Sequence, residues 1–192
     1  MPAALILGGT VANEVMIIGL SIASLVTIWF LITAVKFIRR MRQGARMREA
    51  LQEYKQILDR GISQLPLISE AESSARSAPD RWSKKEILGH LIDSASNNHQ
   101  RFVRAQMSSE IKLPGYEQEA WVATQRYQSV SWENLLQLWK AYNTHLLHVV
   151  SGVPDERLKG LCFIGEHPPV TLEYLIQDYI THLKHHLDQI LS

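Results

Sequence analysis

Three histidines fall within five residues near the carboxyl end of the chain: His182, His185 and His186, in the segment Thr171–Ile190. Imidazole binds transition metals and moves protons near neutral pH, so the spacing of these residues decides what chemistry they can share. The apolar residues Leu172, Leu175, Ile176, Tyr179, Ile180, Leu183, Leu187 and Ile190 recur with helical spacing. At about 100° per residue, His186 lies roughly 60° and His182 roughly 100° from that stripe, while His185 points to the opposite side. His182 and His186 are one turn apart and can turn a ring nitrogen to one ion. Taken alone, the pair is a weak signal and better fits two histidines hydrogen-bonded at a bundle edge; a third histidine elsewhere shifts the balance.

A final helix capped by Thr171 needs partners to bury its stripe. A first helix is expected from near Ala45, with Met47, Leu51, Tyr54, Leu58, Ile62 and Leu65 in register and its later part weakened by Gly61 and Pro66. Residues 69–79, rich in Ser, Ala and Glu, read as helix end and loop. The Ser83-x-x-Glu86 capping pattern opens a second helix whose apolar face holds Leu88, Leu91, Ile92, Ala95 and Phe102. Beside that face lies a polar strip of His90, Ser94, Asn97 and Arg101. A third helix begins at Ser131 and carries Trp132, Leu135, Leu136, Trp139, Tyr142, Leu146, Val149 and Val150 on its seam, leaving His145 and His148 to solvent. The long connection over 109–129 has aromatic anchors at Tyr116, Trp121 and Tyr127 and is of a length that shapes sites. With no repeat and no convincing strand pair, the pattern is all-α: a four-helix bundle.

In such a bundle the second and fourth helices can face each other, which sets His90 opposite His182 and His186. Three neutral imidazoles leave a fourth coordination position for water or substrate, as in catalytic zinc sites, and imidazole also suits nickel, iron and manganese. Leu183, Lys184 and His185 replace the glutamate of a His-Glu-x-x-His protease motif, which disfavours a thermolysin-like peptidase. Asp93 and Asp178 are candidate acceptors for the ligands' second ring N–H groups. Asn97 and Arg101 are candidate anchors for a carboxylate or amide of a substrate. The single cysteine, Cys162, allows no internal disulfide and has no sequence-adjacent base, so it reads as a packed thiol.

A formal charge of +1 argues against nucleic acid as a partner. Val15–Val35 contains no charged residue, a length expected to cross a bilayer. Lys36, Arg39, Arg40, Arg42, Arg46 and Arg48 come directly after it, so the positive-inside rule puts the bundle on the cytoplasmic side. The expected order is an outer tail over 1–14, a single-pass membrane helix over 15–37, a basic segment over 38–48 and the bundle over 49–192.

Trp82-Ser-Lys-Lys-Glu-Ile-Leu-Gly-His90-Leu-Ile-Asp-Ser-Ala-Ser-Asn97-Asn-His-Gln-Arg101-Phe and Asp178-Tyr-Ile-Thr-His182-Leu-Lys-His-His186-Leu-Asp-Gln-Ile190 together resemble the DinB-like (DinB/YfiT) superfamily over residues 45–192. The resemblance implies a DinB-type four-helix bundle holding a divalent metal through His90, His182 and His186, with His185 outside the ligand set. It further implies a thiol S-transferase using a low-molecular-weight thiol, or a metal-dependent hydrolase, and bundles that often pair as homodimers. The membrane leader lies outside the usual family pattern. A non-catalytic metal- or ligand-binding or interaction module on the same anchor fits the same residues.

Overall fold

Helix caps fix where the helices begin, and so which faces their side chains present. In the computed structural model, which describes the backbone of residues 10–192 and the side chains of residues 24–192, Ser83 Oγ accepts from Glu86 N at 3.3 Å while Glu86 Oε2 accepts from Ser83 N at 2.8 Å. Ser131 and Thr171 cap the same way, through Asn134 N at 3.3 Å and Tyr174 N at 3.2 Å. The helices are α1 (Thr10–Gln64), α2 (Glu70–Ser74), α3 (Lys84–Met107), α4 (Gln118–Gln125), α5 (Trp132–Ser151) and α6 (Leu172–Leu191). Contacts divide the chain into two units, residues 1–45 and 46–192.

In the first unit, the expected membrane helix is corrected. Among the described residues no helix is long and apolar enough to cross a membrane. The described uncharged run, residues 24–35, ends at Lys36. The part of that expectation resting on residues 1–23, including the tail over 1–14, lies outside the described side chains. Nor does a separate helix of the bundle begin near Ala45, since α1 runs unbroken from Thr10 to Gln64.

The second unit buries one apolar core among α1, α3, α5 and α6, including Tyr54, Leu88, Leu91, Phe102, Trp139, Leu146, Ile176, Tyr179 and Leu183. Gly61 does not weaken α1. A Cβ there would fall 2.3 Å from a Trp139 ring carbon, so its bare backbone lets α5 approach closely. Inside the core, Asn143 Oδ1 accepts from Tyr179 at 2.6 Å and from Tyr54 at 3.1 Å, while Asn143 Nδ2 donates to Trp139 O at 2.9 Å. Each of these buried polar groups is thereby matched. The segment expected as helix end and loop instead forms α2, with its own Ser69–Glu72 capping box. Glu70 of α2 ion-pairs with the buried Lys85 and accepts from Trp132 N at 2.7 Å, tying the starts of α3 and α5 together.

The fold is also not purely helical. Strands β1 (Glu110–Leu113), β2 (Leu161–Ile164) and β3 (Val170–Thr171) form a sheet in that order, β1 parallel to β2 and β2 antiparallel to β3. In β2 the alternation is apolar-inward, with Cys162 and Ile164 buried. Runs of two to four residues are too short to show a strand period in sequence. The sheet joins the connection after α3 to the one before α6, fixing two loops at one end of the bundle.

Candidate metal centre

His90 lies seven residues beyond the Ser83 cap on α3 and is fully buried, with the Trp82 ring 5.3 Å from its own. Across the core from it, α6 presents His182 and His186. His90 Nε2 is 3.0 Å from His182 Nε2, and ring nitrogens of all three histidines lie within 4.8 Å of one another. Among the described residues no other group of histidine, cysteine or carboxylate side chains meets that spacing. His185 is exposed and outside the group, as its helical phase predicts, and His145 and His148 are exposed on α5.

The protonation of these rings follows from burial. His90 is pushed down to about 3, mainly by burial and then by repulsion from His182 and His186. Burial, then the charge of His186 and His185, lowers His182 to about 4. Burial also lowers His186. All three are neutral at pH 7, which is the form that ligates metals.

The second ring nitrogens decide which lone pairs are free. His186 Nδ1 donates to Gln189 Oε1 at 3.0 Å, which leaves Nε2 for a ligand. Ser94 Oγ lies 3.5 Å from His182 Nδ1, which leaves Nε2 as the nitrogen turned toward His90. Among the described residues His90 Nδ1 is buried without a partner. Two facing imidazole nitrogens at 3.0 Å suit a shared cation, because nitrogens bound at about 2.0–2.1 Å in a tetrahedral site stand roughly 3.3 Å apart. The donor set therefore fits a divalent transition metal.

The aspartates occupy other places. Asp93 is buried, and its Oδ1 accepts from Tyr127 Oη at 2.6 Å and from Gln125 Nε2, while Oδ2 has no partner among the described residues. Burial raises its carboxyl above the usual range, against the lowering effect of those two donors. Tyr127 reaches it because Gly89 has no side chain, a Cβ there falling 2.1 Å from a Tyr127 ring carbon. Arg126, at φ 53°, turns the chain out of α4 to deliver that ring.

Asp178 lines an open cleft of about 830 Å³ into which His182 also faces. From α3 the cleft takes Ser94, Asn98 and Arg101; from the two loops fixed by the sheet it takes Tyr116, Glu117, Gly165 and Glu166. Asn97 is not among its walls: its amide donates to Asp93 O on its own helix at 2.9 Å. Asn98, one position on, is buried and donates to Ser94 O at 3.0 Å. Sequence reading misses Asn98, Gln125, Tyr116 and Gln189 as site residues. Only Gln189 carries a local signal, three residues after His186 on one helix. Cys162 is fully buried and burial raises its thiol, in keeping with a packed side chain.

These features define a class: helical bundles with a cluster of neutral histidines opening on a cleft. The chain belongs to the DinB superfamily, whose family model matches residues 41–190. Among solved structures it is similar to YfiT from Bacillus subtilis, described as a probable metal-dependent hydrolase with an unusual four-helix bundle topology. The TM-score is 0.65 at 17% identity, covering 75% of this chain and 83% of that one. It is also similar to the mycothiol-dependent maleylpyruvate isomerase, with a TM-score of 0.64 at 13% identity, covering 75% of this chain and 60% of the isomerase. No curated protein matches the sequence. At these identities the two structures share the fold.

Proposed function

We propose that this protein is a metal-dependent enzyme in which His90, His182 and His186 hold one divalent ion and the cleft brings a small substrate to it. The observation that carries the reading is the packing of three neutral imidazoles from two helices at the head of a cleft that only His182 of the three lines. A bound divalent metal supplies Lewis acidity, lowering the pKa of water or of a thiol so that either is an anionic nucleophile near neutral pH. Hydrolysis and thiol transfer both use that nucleophile. YfiT's description as a metal-dependent hydrolase and the isomerase's dependence on mycothiol support the pair of chemistries.

The chain's own groups have distinct tasks. Gln189 and Ser94 orient the two α6 imidazoles, and Trp82 covers His90 from solvent. Burial raises the Tyr116 phenol, so at neutral pH it keeps its proton and faces the cleft as a hydrogen-bond donor. Asp93 is engaged by Tyr127 and Gln125 and serves to hold α3 rather than to take a substrate proton.

The test is elemental analysis of the full chain purified without chelator or affinity nickel, beside His90→Ala and His182→Ala. About one divalent metal per chain, lost in both variants with helical circular dichroism retained, is expected. Absence of metal from the parent after dialysis against zinc, nickel and manganese overturns the reading. Ester, amide and thiol-transfer substrates then assign the chemistry.

A further inference from the structure

The cleft contains a cation and an anion that do not pair. Arg101 is half-buried, and among the described residues its one hydrogen bond runs from Nη1 to Asn98 Oδ1 at 3.3 Å. Asp178 lines the same cleft from α6 and makes no hydrogen bond or ion pair with the described residues, yet it is near enough for its charge to act on Arg101. Arg101 is the only arginine or lysine among the described residues of the cleft wall. Burial lowers the affinity of its guanidinium for its proton, and the opposing pull of Tyr116, Asp178 and Cys162 does not make up the difference. A half-buried cation so poorly compensated is a receptor for an anion.

Helix geometry fixes how far this lies from the histidines. Arg101 is eleven residues after His90 on α3, within about 20° of the same face and roughly 16 Å along the axis. Side chains on a helix lean toward its amino end, so the Arg101 side chain extends back toward His90. Asp178 precedes His182 by one turn of α6, about 5.4 Å. Arg101 thus lies about three turns of α3 from His90 with its side chain reaching back toward it, and Asp178 about one turn of α6 from His182, both on the wall of one cleft.

We propose that Arg101 and Asp178 form a clamp for a zwitterionic head group, carboxylate on Arg101 and ammonium on Asp178, so that the substrate is a small amino acid or amino-acid derivative with its reacting end toward His182. The other carboxylates in the wall, Glu117 and Glu166, are exposed at its rim and disfavour ligands of greater negative charge, such as phosphates. The assignment rests on the proposed metal chemistry for which end reacts, but the clamp itself is a property of the cleft.

A matched set of thioethers separates the two charges without a thiol to strip metal: L-methionine, 4-(methylthio)butanoate with only the carboxylate, and 3-(methylthio)propylamine with only the ammonium. Calorimetric titration of the full chain should give methionine about tenfold tighter binding than either single-charge analogue, as one charge-assisted contact implies. Arg101→Gln should reduce methionine to the level of the amine, and Asp178→Asn to the level of the acid. Equal binding of all three, no methionine binding, or variants that leave the preference intact overturn the clamp. Metal content is measured on the same samples: metal without a head-group preference sinks the clamp alone, and the preference without metal sinks the metal reading alone.

Discussion

His90 Nε2 stands 3.0 Å from His182 Nε2, although 92 residues separate them in the chain. Two imidazoles brought nitrogen to nitrogen in a core, with His186 completing the group, need either a shared proton or a shared cation. The consequences can be measured residue by residue.

His186→Ala should lose the metal and His185→Ala should keep it, because only the former has a ring nitrogen in the cluster. Elemental analysis of the two variants, adjacent in sequence and chemically identical, makes the comparison. Metal lost from both or kept by both would contradict the ligand set.

Gln189→Ala should weaken metal affinity by roughly tenfold while leaving about one site per chain, the usual effect of removing a group that orients a ligating imidazole. Gln189 accepts from His186 Nδ1 and is not itself a ligand. Competition with a chromophoric chelator reads the affinity and the stoichiometry together.

The metal-free protein should lose stability as pH falls from about 6.5, the ordinary value for a histidine, toward 4.5. Folding holds His90 at about 3 and His182 at about 4. In this window the unfolded chain binds more protons than the folded one, so ∂ΔG/∂pH of unfolding is positive. Glu70, Glu72 and Asp188 are lowered by their hydrogen-bond partners. Their stabilisation begins to fade only at the lower edge of this window, where pH enters the ordinary carboxylate range. Urea midpoints at about pH 7.0, 5.5 and 4.5 should therefore decline, with a shallower decline in His90→Gln.

Gly89→Ala should destabilise the fold by about 2 kcal/mol, although alanine is the better helix former by about 1 kcal/mol. The added methyl meets the Tyr127 ring at 2.1 Å, and moving the ring breaks its bond to Asp93. A denaturation midpoint equal to or above that of the parent would show that Tyr127 is not seated there.

Asn143→Leu should cost roughly 2–5 kcal/mol, because it removes the side-chain acceptor of the buried Tyr179 hydroxyl and leaves Tyr54 only the backbone carbonyl of residue 143. Adding Tyr54→Phe and Tyr179→Phe should restore part of the loss. Thermal unfolding of the single and triple variants tests that coupling.

The helical elements of the bundle and the phase of their polar residues are legible in the sequence. Caps at Ser83, Ser131 and Thr171 and apolar residues three and four apart are local signals, repeated over several turns. They suffice to put His90, His182 and His186 on inward faces and His185 outside. What each face meets is settled by packing between elements. The rotation of α3 against α6 turns Asn98 rather than Asn97 into the cleft, a difference of one position that periodicity does not resolve. The close approaches that make glycine necessary at 61 and 89 depend on Trp139 and Tyr127, partners 78 and 38 residues away. The sheet exists because two connections distant in sequence lie side by side, each too short to carry a strand pattern. For the apolar run before Lys36, hydropathy counts residues, whereas among the described residues no helix is both long and apolar enough to cross a membrane.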